Sequence, residues 1–164
     1  MKKITLIFAV FAVLLSLVSA GTKKEYNAEV GMKAPYFEVK AEDGEVISLS
    51  DMKGRFVIIN FWTSADANSR IAANQYDSYM ESVEGEHVSL VSVNIDRNQR
   101  LFEEIMRRDG LNEKSQYYVQ PGGASDLIRK FNMGNGHQSY LIDPQGTITA
   151  INPSTEILAS LTGK

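Results

Sequence analysis

The residues best placed to do chemistry lie in "NFWTSADANSR", Asn60 to Arg70, which ends an apolar run and opens a segment of helical pattern. Asp66 and Ser69 stand three residues apart at that opening. Aspartate is a favoured helix cap, because its carboxylate accepts from the exposed backbone N–H groups of the first turn. Its charge also suits the positive end of the helix dipole, by roughly 0.3–1 kcal/mol when exposed. Serine is a weak nucleophile unless a base takes its proton. The 164 residues include no cysteine, and thiol–disulfide exchange needs one thiolate to attack and a second sulfur to resolve the mixed disulfide. Cysteine-based redox exchange and peroxide reduction are therefore excluded. The two histidines, His87 and His137, are far apart and lack recognisable metal-ligand spacing. Neither a metal nor another cofactor is expected. The glycines Gly122-Gly123 and Gly134/Gly136 do not follow a strand-to-helix phosphate signature and read as turns.

The elements that must position these residues can be read from periodicity. "RFVIINFW" (Arg55–Trp62) is nearly all apolar, as suits a strand buried on both faces. A helix from about Asp66 to Val83 follows, with Ala72, Tyr76, Tyr79, Met80 and Val83 on one stripe. "HVSLVSVNID" (His87–Asp96) reads as a second core strand, with His87 at an exposed strand start. Leu101, Phe102, Ile105 and Met106 mark another helix, stopped by Gly110. The "QPGG" loop (Gln120–Gly123) leads to a short helix around Asp126–Phe131. "QSYLID", "PQG" and "TITAI" form a hairpin, with Pro144 and Gly146 at the second and fourth places of its turn. Asn152-Pro153 reads as a cap-and-start pair for a last helix carrying Ile157, Leu158 and Leu161. Upstream, "YFEVKAEDGEVISL" reads as a hairpin turning at Asp43-Gly44, followed by a short turn or helix from Ser50 to Gly54. The order implies an α/β fold, a mixed sheet with helices on both faces.

Residues 1–20 read as an export signal: Lys2 and Lys3, an apolar run from Ile4 to Val18, then Ser19 and Ala20. The run is short for a membrane span. Residues 21–29 are polar and read as a flexible lead-in, leaving one domain over 30–164. Cleavage would take Lys2 and Lys3 from the 17 basic side chains, leaving 15 against 20 acidic and a net charge of −5. Such a chain is a poor candidate for nucleic acid. The mature protein is expected in the periplasm or outside the cell, free of the membrane.

"VGMKAPYFEVKAEDGEVISLSDMKGRFVIINFW", then "VSVNID", "LIRKFNM" and "SYLIDPQGTITAINP", resemble the exported thioredoxin-like proteins, the TlpA-like thiol–disulfide oxidoreductases and AhpC/TSA-type redoxins, from about Val30 to Leu161. The resemblance implies a thioredoxin-like fold with an added N-terminal hairpin. It also implies an active site at W-C-x-x-C, whose cysteine positions fall on Asp66 and Ser69, and a cis-proline whose place is taken by His137. Its geometry would bring Asp66, Ser69 and His137 together on one face lined also by Trp62. A non-proline cis bond costs about 2.5–4 kcal/mol over trans, so the Gly136–His137 peptide is expected trans.

The residues and the resemblance together suggest three functions, the last of which the missing cysteines rule out. The leading one is a non-catalytic binding or accessory protein that holds a protein, peptide or small ligand at the former redox face, with a protein or peptide partner expected first. A hydrolase built from Asp66, Ser69 and His137 is the second, since serine, histidine and an acid are the parts of a triad. Thiol–disulfide oxidoreductase activity by resemblance alone is the third.

Overall fold

The computed structural model describes residues 28–41, 44–83, 87–134 and 138–162. The expected export signal, most of the expected lead-in, Asp43, Gly136 and His137 lie outside the described residues.

Seven consecutive strand residues, β3 (Phe56–Trp62), form the middle of the molecule. They pair in parallel with β4 (Val88–Asn94) and antiparallel with β6 (Ser139–Ile142). Outer strands β5 (Gln116–Tyr118) and β7 (Ile148–Ile151) complete a mixed sheet in the order β5-β4-β3-β6-β7. The upstream segment forms a separate hairpin, with β1 (Glu38–Lys40) antiparallel to β2 (Val46–Ser48). Beyond β7, the Gly31 amide donates to the Ile148 carbonyl at 2.8 Å and the Ile148 amide to the Met32 carbonyl at 2.9 Å, so that edge of the sheet is covered. Ala28 is buried in the core, which places packing two residues before the expected start of the domain.

Alternation along β3 assigns two faces. Val57, Ile59 and Phe61 pack with Phe37, Val39, Leu127, Phe131 and Tyr140. Phe131 bridges this layer, its ring 5.0 Å from Phe61 and 5.1 Å from Tyr140. Fully burying one such side chain is worth about 1.5–3 kcal/mol. Ile58 and Trp62 face the other way. Ile58 packs against Tyr76, Tyr79 and Leu158, and Trp62 against Ala73, Phe102 and Ile105. Helices α1 (Ala67–Ser82), α2 (Gln99–Asp109) and α4 (Thr155–Thr162) therefore cover this face, while α3 (Pro121–Lys130) and the hairpin cover the first. The expected α/β fold, with helices on both faces and an N-terminal hairpin, is the one observed.

Asn60 also points to the α1 face and is only 1% exposed. Its amide donates to Ser92 Oγ at 3.0 Å, and Ser139 Oγ donates to Asn60 Oδ1 at 2.9 Å. This polar row crosses the three central strands with every described partner satisfied.

Two helix starts differ from the sequence reading. The "QPGG" segment is not a loop: α3 begins at Pro121, and Gly122 and Gly123 lie in its first turn. Proline suits the first helical position because its missing N–H has no partner there anyway. At Gly123 a side chain would stand 2.8 Å from Val119 Cγ1, so close packing explains the glycine. At the other end, Asn152 does not cap α4. It adopts a left-handed φ of 49°, and its Oδ1 accepts from the Ser139 amide at 2.8 Å. The helix starts later, where Ser154 Oγ accepts from the Ile157 amide and Ser154 O from the Leu158 amide. Of the three apolar residues this helix carries, Leu158 is buried while Ile157 and Leu161 are exposed. Among the described residues no helix is long and apolar enough to cross a membrane.

Candidate functional site at the mouth of the first helix

The site is made by one strand, one tight loop and one helix end. Where β3 stops at Trp62, residues 63–66 turn the chain into α1, with the Asp66 amide donating to the Thr63 carbonyl at 3.3 Å. Asp66 is extended (φ −97°, ψ 107°) and caps the helix. Its Oδ1 accepts from the Ser69 amide at 2.8 Å, and its backbone carbonyl accepts from the Arg70 amide at 3.2 Å. The cap expected from the sequence is present.

Ser69 is 7% exposed. Its Oγ accepts from the Thr63 amide at 3.2 Å and donates to the Asp66 carbonyl at 3.0 Å. The hydroxyl therefore closes the loop on itself. Neither bond supplies a base that could take its proton, so among the described residues no group activates the serine. Asp66 and Ser69 do meet at one rim. His137 and the Gly136–His137 peptide lie outside the described residues. The Gln138 carbonyl accepts from the Phe61 amide at 3.1 Å, beside the end of β3.

Trp62 differs from its expected place on the exposed face. It is fully buried, and its indole N–H donates to Gln116 Oε1 at 3.1 Å. Strand alternation is the reason: Trp62 shares its face with Ile58 and Asn60, under α1 and α2. It supports the loop from below and offers no surface.

Three further groups position the mouth and were not singled out from the sequence. Asp96, just past β4, receives both the Ser64 amide (2.9 Å) and the Ser64 hydroxyl (2.5 Å) on Oδ2. Asn94 orients it: its side-chain amide donates to the same oxygen at 3.0 Å, and its Oδ1 accepts from the Asp96 amide at 3.0 Å. Asp77, 8% exposed inside α1, accepts from the Asn112 amide (2.8 Å), Ser115 Oγ (2.7 Å) and Gln116 Nε2 (3.1 Å). Through Gln116 this carboxylate is linked to Trp62. Nearer the mouth, in the first turn of α1, Arg70 grips Asp109 with Nε–Oδ2 at 2.7 Å and Nη2–Oδ1 at 2.6 Å. The hydrogen bonds from Arg70 hold the Asp109 carboxyl below the usual carboxylate range. The signals available were an Asn-x-Asp at a strand end and an acid on the apolar stripe of a helix. Neither names its partner. Among the described residues no three His, Asp or Glu side chains gather as a metal site would require.

A mixed five-stranded sheet with helices on both faces, and a helix mouth directly after its central strand, defines a thioredoxin-like protein. The chain belongs to the AhpC/TSA family, whose pattern it matches over residues 30–151. It is 26% identical over 167 residues to the thiol-disulfide oxidoreductase ResA of Bacillus subtilis, covering 94% of this chain and 89% of that protein. It is 27% identical over 124 residues to the sporulation thiol-disulfide oxidoreductase A of the same organism, covering 73% and 72%. Among solved structures it is similar to a thioredoxin-like protein from Parabacteroides distasonis (TM-score 0.64, 27% identity, 68% of this chain and 82% of that one). The thioredoxin domain of a Bacteroides vulgatus thiol-disulfide oxidoreductase shares the fold (TM-score 0.71, 21% identity, 84% and 97%). Against this family the chain has lost the cysteine pair, with Asp66-Ala67-Asn68-Ser69 in its place.

Proposed function

We propose that this is an exported, non-catalytic binding or accessory protein that holds a protein or peptide partner at the former active-site face. One observation carries the reading: the two positions that replace the cysteines are joined to each other, Ser69 amide to Asp66 carboxylate at 2.8 Å, in an intact helix cap. A family scaffold with its mouth kept in order and no cysteine in the sequence has contact, not dithiol exchange, to offer. Residues 2–20, with two lysines ahead of an apolar run and a small-residue end, support export. The engaged Ser69 hydroxyl argues against the hydrolytic alternative.

Crosslinking the mature protein in its native compartment, with wild type and Asp66→Ala side by side, tests the reading. The variant is expected to capture its partner severalfold less while losing about 1 kcal/mol of stability, the ordinary cost of a lost cap. Equal capture by both proteins refutes a role for the face. Insulin reduction above the dithiol background refutes the non-redox reading.

A further inference from the structure

At the β5 edge of the sheet the hairpin and α2 stand on either side of a groove. Strand β5 ends the strand order, and a groove of about 620 Å³ runs along it. One wall is the hairpin, through Ala41 and Ile47; the other is α2, through Phe102 and Met106. Tyr117 packs with the hairpin side of the core, and Tyr118 packs with Phe102, ring to ring at 5.7 Å. The Val119 amide donates to the Asn94 carbonyl at 3.2 Å. Because backbone groups alternate sides along a strand, the N–H and C=O of Tyr118 point away from β4, into the groove.

We infer that this edge receives an extended, uncharged peptide segment of a partner protein as an added strand beside β5. The main-chain groups of Tyr118 supply the ladder bonds. Side chains at alternate positions of the added strand enter the hairpin wall and the α2 wall in turn, as strand addition requires. Charge selects the class of segment: Lys40 and Lys114 in the groove are matched by Glu45 and Glu113, so the surface complements a neutral segment and draws neither a polyanion nor a basic tail. A second copy of the chain fits less well. The three residues of β5 give only about 10 Å of edge, recessed between two walls, whereas a stable dimer needs about 800 Å² from each partner. Trp62, Asn94 and Tyr118 share one row of the sheet register. The groove therefore opens about 10 Å, two strand spacings, from the helix mouth. The inference does not depend on what the mouth binds.

The test uses the ¹⁵N-labelled chain and an end-blocked hexapeptide alternating leucine and serine. A control peptide carries methyl groups on alternate backbone nitrogens. Hydrogen exchange at the Tyr118 amide is expected to slow at least tenfold at saturating peptide. The methylated peptide is expected to bind at least tenfold more weakly. Ala41→Arg, which places a long charged side chain in the groove, is expected to weaken binding at least tenfold while the amides of the core strands keep their exchange protection. Tyr118→Pro, which deletes an edge donor that β4 does not use, is expected to weaken binding at least tenfold, with a lower melting temperature because its ring leaves Phe102. Unchanged amides at residues 116–120 in millimolar peptide overturn the inference, as does equal affinity for the methylated control. Protection of those amides without peptide, together with a dimer in sedimentation, also overturns it by assigning the edge to a second copy.

Discussion

The amide and the hydroxyl of Ser64 both end on one carboxylate oxygen of Asp96, at 2.9 and 2.5 Å, so the loop that opens the first helix is fastened to the neighbouring strand end. The former active-site loop is held by a polar clamp from β4 as well as by its own helix cap.

Asp96→Ala should loosen that loop. It removes the acceptor of three donors, the Ser64 N–H and O–H and the Asn94 side-chain amide. Hydrogen bonds to a charged acceptor are worth about 1.5–3 kcal/mol, and a loss in that range is expected in urea unfolding. Amide exchange at Ser64 should accelerate by more than that at core residues such as Ile59.

Asp77→Asn should disturb Trp62 without touching it. The new amide group faces donors it cannot satisfy, and Gln116, released from Asp77, no longer holds the indole N–H in place. Trp62 is the only tryptophan, so the emission spectrum reports on it alone. A shift in emission and a loss of about 1.5–3 kcal/mol are expected; an unchanged spectrum would separate the two groups.

The Arg70–Asp109 pair should stabilise the fold except in acid. The folded state holds the Asp109 carboxyl below its ordinary range, so on acidification the unfolded chain takes up that proton first. The contribution is full above the ordinary carboxylate pKa, near 4, and disappears as pH falls through the lower folded value. Arg70→Gln should cost about 1 kcal/mol at neutral pH, and the gap from wild type should close in strong acid. Denaturation curves at several pH values measure it.

Tyr140 should matter at the alkaline end. Burial pushes its hydroxyl up to about 12, and that hydroxyl donates to the Phe131 carbonyl at 2.6 Å. Its contribution is present below pH 10, where the unfolded phenol begins to ionise, and is lost as pH rises through the folded value. Tyr140→Phe should lose about 1 kcal/mol at pH 7. Its stability should also fall less steeply between pH 10 and 12. Part of the slope should remain, because burial raises Tyr76 as well.

Much of the fold could be read from residue order because its signals are local. The apolar run Arg55–Trp62, the stripe of α1 and the Pro144/Gly146 turn each depend on neighbours within a few positions. The Asp143 carbonyl accepts from the Gly146 amide at 2.8 Å, as that turn requires. The misplaced starts of α3 and α4 came from residues with two local meanings. Pro121 can end a loop or begin a helix. Asn152 can cap a helix or bond across a hairpin, and the Ser139 amide decided the matter.

By itself the sequence determined that no sulfur is available at the mouth of the first helix, that Asp66 caps it, and that the chain carries a thioredoxin-like order of elements. Only the tertiary structure decided where side chains face and what distant residues they meet. Trp62 turned inward because strand alternation, not residue type, sets its direction. Ser69 closed onto Thr63, Asp77 found Gln116 and Asp96 found Ser64 because buried polar groups must pair, and folding alone brings such partners within reach.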